Sequence, residues 1–390
     1  MFRICVFTGS RAEYGLLSPL IKKIKNEEEF QLQLLVSGMH LSPEFGLSYK
    51  QIEEDGYTID EKTEMLVSSD SDIGITKSIG LGIISASDAI ARLSPDLLII
   101  LGDRFEALAV AVAAYVQKIP IAHLHGGETT IGNYDEGFRH AITKMSTFHF
   151  ASTDLYRRRI IRMGESPNRV FNVGATAIDN IRDMDLLSKE ELEKELGIHI
   201  RKNSALVTFH PTTLEKDSPE KQLRLLIECL MERDIFAIFT MSNADTFGRA
   251  LNKIILETVE TKPKKCSAFQ SLGTLRYLSL VKYVDFVIGN SSSGLVEVPY
   301  MRTPTIDLGN RQKGRLKPDS VIECEIEKYS ILQSIDRSYT TEFRERINKM
   351  EDLFGDGTAS KKIVNILKME LGKGISMRKI FFDGEGEDER

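Results

Sequence analysis

The chain has 390 residues, enough for two hydrophobic cores of ordinary domain size. Its 51 basic and 57 acidic residues leave a net charge of −6, which argues against nucleic-acid and anionic-membrane surfaces, because both select a concentrated positive patch. A small-molecule substrate is expected instead. The N-terminal run Met1 to Gly9 is too short for a signal segment, and no later run is read as approaching the roughly 20 residues of a membrane span, so a cytosolic protein is expected. Cys5, Cys229, Cys266 and Cys324 are widely spaced and read as core residues rather than as a disulfide or thiolate-metal framework.

Short apolar runs bounded by turn residues alternate with segments of helical period, the pattern of βαβ units on a mostly parallel sheet. In the first half the predicted strands are 3–8, 31–37, 97–101, 119–123, 148–151 and 170–173, with helices at 16–25, 44–55, 76–92, 105–117, 136–145 and 155–163. A charged stretch, 182–203, then reads as a solvated helix near a boundary. After it the strands are 205–209, 235–240, 267–269, 285–288 and 305–308, with helices at 220–233, 245–259, 274–281 and 295–300. The fold class is therefore α/β, with two Rossmann-like domains facing across a cleft. The expected domains are 1–180 and 181–360, with a last helix near 361–372 packing back on the first domain and a flexible tail at 373–390.

Ligands of open α/β sheets sit beyond the carboxyl ends of the strands, so the strand-end loops are where chemistry is sought. Thr8-Gly9-Ser10-Arg11 turns the first strand into a helix, where backbone N–H groups and Arg11 suit a diphosphate; the plain alternative is a tight turn with an exposed arginine. It lacks the spacing of a dinucleotide fingerprint, and no nicotinamide is implied. Gly289-Asn290-Ser291-Ser292-Ser293-Gly294 places Ser291 and Ser292 at a strand end opening a short helix, an anion site or else a serine-rich cap. Glu297 follows on that helix, where it can accept bonds from ribose hydroxyls, and Arg311 adds positive charge at another strand end.

Asp103 and Arg104 follow the strand 97–101 directly, Glu128 follows 119–123 through His125-Gly126-Gly127, and Asp135 opens the next helix with Arg139 one turn later. Adjacent carboxylates in a cleft push their proton affinities apart, so that one holds a proton while another accepts one. The alternative is an ion-pair network, beginning with Asp135 and Arg139 at i, i+4. His123 and His125 read as neighbours on one face of a strand, with no further ligand to make a metal site. His210 ends its strand before Pro211, placed to bind a phosphate or to protonate a leaving diphosphate, unless it is a satisfied core histidine.

These motifs, from Ser10-Arg11-Ala12-Glu13-Tyr14 through Gly102-Asp103-Arg104, His125-Gly126-Gly127-Glu128, Tyr134-Asp135-Glu136-Gly137-Phe138-Arg139-His140, Thr208-Phe209-His210-Pro211 and Gly289–Gly294 to Asn310-Arg311-Gln312, resemble those of the hydrolysing UDP-N-acetylglucosamine 2-epimerases of bacterial sialic-acid synthesis. The resemblance runs from residue 8 to about 315 and implies the glycosyltransferase-B type of fold. It implies that UDP-N-acetylglucosamine and water give N-acetylmannosamine and UDP, by C2 deprotonation, UDP elimination and hydration of 2-acetamidoglucal. Asp103, Glu128, Asp135 and His210 would carry the proton chemistry; Arg11, Arg104, Arg139, Asn243, Ser291, Ser292, Glu297 and Arg311 would hold the substrate. No metal or cofactor is implied, and a homodimer or higher homo-oligomer is. Relatives of legionaminic-acid synthesis carry nearly the same motifs and act on a nucleotide-linked 2,4-diacetamido-trideoxyhexose, which is the alternative substrate, although the segment 128–135 looks more like the sialic-acid branch. A glycosyltransferase and a catalytically silent binder are the remaining readings, the latter having no need of three carboxylates together.

Overall fold

The computed structural model describes residues 1–67, 71–129, 134–210, 218–241 and 248–384. They form two compact units, Met1–Arg182 with Phe354–Arg390, and Asp183–Leu353. The first unit carries strands β1 (Phe2–Thr8), β2 (Phe30–Ser37), β3 (Glu61–Thr63), β4 (Leu97–Leu101), β5 (Ile121–Leu124), β6 (Phe148–Ala151) and β7 (Val170–Asn172), paired in parallel in the order β3-β2-β1-β4-β5-β6-β7. Its helices are α1 (Arg11–Lys25), α2 (Tyr49–Glu54), α3 (Asp72–Leu93), α4 (Phe105–Val116), α5 (Asp135–Met145), α6 (Asp154–Arg162) and α7 (Thr176–Arg182). Both faces of the sheet are covered, which is why its central strands read as continuous apolar runs rather than alternating ones. Ile4, Val6 and Ile99 pack towards Leu17 and Ile21 of α1, and Cys5, Phe7, Leu98 and Ile100 pack towards α3 and α4.

The second unit repeats the plan with β8 (Ser204–Thr208), β9 (Phe236–Thr240), β10 (Cys266–Phe269), β11 (Phe286–Gly289), β12 (Thr305–Leu308) and β13 (Val321–Cys324), parallel in the order β10-β9-β8-β11-β12-β13. Around them lie α8 (Lys189–Leu196), α9 (Pro219–Glu232), α10 (Gly248–Thr261), α11 (Gly273–Tyr283), α12 (Glu297–Tyr300), α13 (Lys328–Ser338) and α14 (Thr341–Lys349). The last helix, α15 (Ala359–Gly372), belongs to the first unit and puts Ile363, Leu367 and Leu371 into the same core as α1. Its start is capped by the buried Asp179 of α7, whose carboxylate accepts the N–H groups of Ala359 at 2.9 Å and Ser360 at 2.6 Å.

Several expectations need correction. The edge strands β3 and β13 and the helices α7, α13 and α14 were not read from the sequence. The helix expected over 44–55 begins only at Tyr49, because the chain turns first through Gly46 at φ 82°. Residues 373–384, expected to be flexible, lie against the first unit: Phe382 N–H donates to Gly164 O at 3.0 Å, and Lys379 pairs with the buried Glu165 at 2.6 Å. Burial pushes the Glu165 carboxyl up, but bonds from His149, Lys144 and Lys379 outweigh it and hold it at about 2. Among the described residues one helix, α3, is long and apolar enough to cross a membrane, contrary to the expectation of no such run. One face of it, including Ala86, Ala89 and Ile90, is core. All four cysteines are buried and free.

Candidate active site

In each unit the strand order reverses between two central neighbours, β1 and β4 in the first and β8 and β11 in the second, and the loops leaving them splay apart to leave a crevice. At the first of these points Ser10 caps α1 and Glu13, in the first turn, folds back to accept Gly9 N–H at 2.9 Å and Ser10 Oγ–H at 3.1 Å. Arg11 is exposed beside it. Arg104 closes the β4 loop and gives Nε and Nη2 to the two oxygens of Glu106, which is wholly buried at the start of α4. Burial, countered by Arg104 and reinforced by Glu106, pushes the Glu13 carboxyl up to about 7.

Asp103 follows β4 through Gly102 and meets Arg139, whose side chain is only 4% exposed on α5 and also donates to Glu136 at 3.2 Å. Asp135, in the first turn of the same helix, has its carboxyl raised by burial and then by the charge of Asp103, against the pull of Arg104 and Arg139. The sequence motifs Gly102-Asp103-Arg104 and Asp135 to Arg139 are thus brought to one place. Glu128 is oriented by His125 Nδ1 at 2.8 Å and by the donating Ser152 hydroxyl at 3.0 Å. The loop carrying it is pressed on α6: a Cβ at Gly127, which has φ 76°, would lie 2.5 Å from Tyr156 O. His123 and His125 do not share a strand face, because β5 ends at Leu124 and His125 turns out with φ 62°. His123 is wholly buried, with Nε2 at 2.7 Å from Gly102 O, and desolvation lowers it to about 3, so it is a neutral prop beneath the Asp103 turn.

In the second unit the organiser is Asn290, 1% exposed. Its side chain accepts His210 N–H at 2.8 Å and donates to His210 O at 2.9 Å, while its own carbonyl accepts Arg311 at 2.8 Å and Gln312 at 2.9 Å. His210 and Arg311 are therefore held to one residue at the end of β11. Gly289 permits this: its φ is 148° and a Cβ there would stand 1.9 Å from Thr208 O of β8. Ser291 caps the turn that follows, accepting Ser293 N–H at 3.4 Å, Ser292 is exposed, and Glu297 opens α12. Asn243, residues 130–133 and Pro211 lie outside the described residues.

Sequence reasoning did not select Glu13, Glu106, Glu136, His123 or Asn290 as site residues. Glu13 and Glu136 stood inside quoted motifs, and the cap spacing Ser10 to Glu13 is a legible signal. Glu106 looked like any first-turn carboxylate. The first unit's arrangement can hold an ion-paired carboxylate, an oriented carboxylate and a carboxyl of raised proton affinity together, and the second offers hydroxyls, a histidine and an arginine at a helix start.

The family model described as UDP-N-acetylglucosamine 2-epimerase matches residues 22–368. The chain is 38% identical over 382 residues to a GDP/UDP-N,N'-diacetylbacillosamine 2-epimerase (hydrolyzing) of Campylobacter jejuni, covering 98% of this chain and 99% of that protein. It is 36% identical over 385 residues to polysialic acid biosynthesis protein P7 of Escherichia coli, covering 98% of both. Among solved structures, UDP-GlcNAc 2-epimerase from Neisseria meningitidis bound to UDP-GlcNAc superposes with a TM-score of 0.79 at 19% identity, over 95% of this chain and 100% of that one, a likeness of fold. The two Rossmann-like units are those of the glycosyltransferase-B type, and by the family match and these identities the chain belongs to the UDP-N-acetylglucosamine 2-epimerase family and is an enzyme acting on a UDP-sugar.

Proposed function

We propose that the chain is a hydrolysing 2-epimerase: it takes a UDP-linked 2-acetamido sugar and water to UDP and the free sugar inverted at C2. The observation that carries this reading is the gathering of Asp103, Asp135 and Arg139 on adjacent strand and helix ends, with Asp135 pushed towards its protonated form. A carboxylate takes the C2 proton, the C1–O bond breaks with its electron pair leaving on UDP, and a 2-acetamidoglucal remains. Water then adds its oxygen to C1 while a carboxyl group delivers a proton to the opposite face of C2. C2–H is a weak acid, so the base must be closely oriented, as Glu128 is by His125 and Ser152 and Asp103 is by Arg139. His210, Ser291, Ser292, Glu297 and Arg311 hold UDP in this reading.

Two sugars deserve trial. The 38% identical relative is named for N,N'-diacetylbacillosamine, which puts the UDP-linked 2,4-diacetamido-trideoxyhexose first. UDP-N-acetylglucosamine comes second, supported by the sialic-acid resemblance of residues 128–135 and by the 36% identical polysialic acid biosynthesis protein. Each nucleotide sugar is incubated with the chain in heavy water and the products are followed by NMR. The expected outcome is UDP together with a free, C2-inverted sugar carrying deuterium at C2. An undeuterated sugar would reject C2 deprotonation, UDP release only on addition of an acceptor would indicate a glycosyltransferase, and binding without UDP release would indicate a silent binder.

A further inference from the structure

Next to the turn that ends β4 lies a buried carboxylate that the proposed reaction leaves unused. Glu106, wholly buried at the start of α4, takes both Nη2 and Nε of Arg104, at 2.7 Å and 3.1 Å. Its side chain sits in a seat that two glycines leave open. A Cβ at Gly9 would lie 3.2 Å from Glu106 Cβ, and one at Gly38, which has φ 59°, would lie 3.1 Å from Glu106 Oε1 and 2.9 Å from Gly9 O. Met39 follows Gly38, and its sulfur accepts the same Nη2 at 3.3 Å. The fork of Arg104 is thus fixed by α4 and by the loops that follow β1 and β2. A buried carboxylate is costly unless it is paired, and here the pairing is bidentate.

Arg104 also faces Asp135, because α4 packs on α5 and Arg139 of α5 is bound to Asp103, the residue before Arg104. Burial and then the charge of Asp103 hold the Asp135 carboxyl up, Arg104 and Arg139 pull it down, and Glu106 pushes it up again. Tyr134 on the same helix faces Asp135, Arg104 and Glu106, and Asp72 of α3 as well, while Glu13 of α1 faces Arg104 and Glu106. An arginine that serves a diphosphate is best left unpaired, since a carboxylate on its fork competes with the phosphate oxygens. An arginine beside a carboxyl group that must carry a proton is best neutralised, since its bare charge favours the ionised form. The two-bonded pair with Glu106 fits the second case.

We infer that Glu106 is a positioning residue for the proposed reaction: seated against Gly9 and Gly38, it fixes and neutralises the Arg104 fork and so leaves Asp135 to act as the proton donor at C2. The donor role rests on the proposed activity, but the pairing is tested without turnover. Side-chain carboxyl carbons of aspartate are isotope-labelled in the full chain, the Asp135 signal is assigned by its absence in Asp135→Asn, and it is titrated by NMR. Every variant carries Glu13→Gln, so that Glu13 cannot ionise in place of Glu106. Glu106→Gln keeps the shape and removes the charge, so the Asp135 midpoint is expected to fall by about one pH unit. Arg104→Gln removes the pull and leaves the push, and the midpoint is expected to rise by about as much. With both changed, it is expected to return to within about half a unit of the Glu13→Gln parent. With nucleotide sugar present, the alkaline limb of kcat, where a donor loses its proton, is expected to move with the midpoint. Should Glu106→Gln not fold, Arg104→Gln and the double variant still read the charge. An Asp135 midpoint that stays put in either single variant, a double variant as displaced as a single, or a kcat limb that ignores the midpoint overturns the inference. So does tighter UDP binding by Glu106→Gln with Asp135 unmoved, which would make Arg104 a phosphate ligand. Midpoints that shift as expected in a chain that releases no UDP would overturn the proposed activity instead and leave the pairing standing.

Discussion

Burial and a neighbouring like charge each make ionisation of a carboxyl group costlier, and Asp135 has both, the burial first and the charge of Asp103 second, so its proton affinity is raised. Asp135→Asn, Asp103→Asn and Glu128→Gln are each expected to lower kcat by about 10²- to 10⁴-fold while UDP affinity holds, checked by turnover assays alongside UDP titration calorimetry. Unchanged turnover in all three would sink the assigned roles. Glu13 makes a different prediction. Its carboxyl is lifted from 4.5 to about 7, so between those values the native state holds a proton that the unfolded chain has lost. That contribution is complete below pH 4.5 and disappears as the pH rises through 7, a loss of about 3 kcal/mol across the window. Glu13→Gln keeps an acceptor for Gly9 and Ser10 and removes the titration. Urea unfolding between pH 4.5 and 8 should therefore show a shallower fall for the variant than for the wild type, and parallel curves would refute the burial argument.

At the scale of elements, position depends on how helix ends are satisfied. The four free N–H groups at the start of α15 would be costly inside a core, and Asp179 takes two of them. Asp179→Ala is expected to cost about 2 kcal/mol in urea unfolding, with Asp179→Asn, which keeps an acceptor, recovering part of it. β1, β4 and β11 were legible because a strand covered on both faces must be apolar along its length, as Leu97-Leu98-Ile99-Ile100-Leu101 is. β3, reading Glu-Lys-Thr, was not, because an edge strand owes its place to its neighbour's backbone rather than to side-chain burial. The helix expected over 44–55 failed for a similar reason: its period continues across Gly46, but the left-handed turn there breaks the hydrogen-bond ladder.

On the scale of the whole chain, the first unit is discontinuous and the second is not. A fragment spanning 183–353 has both its sheet and its core, and is expected to melt cooperatively alone. A fragment spanning 1–182 lacks α15 and so exposes the part of the first unit's core and of α1 against which Ile363, Leu367 and Leu371 pack. It should bind a hydrophobic dye and melt without a sharp transition until the 354–384 segment is supplied. A cooperative melt of 1–182 alone would show that α15 contributes little to that core.

Alternation of apolar runs with helical segments was enough to establish two Rossmann-like units, and the turns that end apolar runs, glycine-bearing in most cases and before Pro211 at His210, were the signal by which the loops around Asp103, Glu128, Asp135, His210, Ser291 and Arg311 were selected. Both signals are local, since strand burial, turn geometry and helix starts are written within a few residues of one another. The partnerships are not local. Arg139 finds Asp103 across 36 positions and Asn290 finds His210 across 80, and Glu106 is buried only because α4 packs where it does. Which carboxyl is pushed towards its proton, and which cation is already committed, depends on those distant neighbours and on the water they exclude, so only the folded chain decides it.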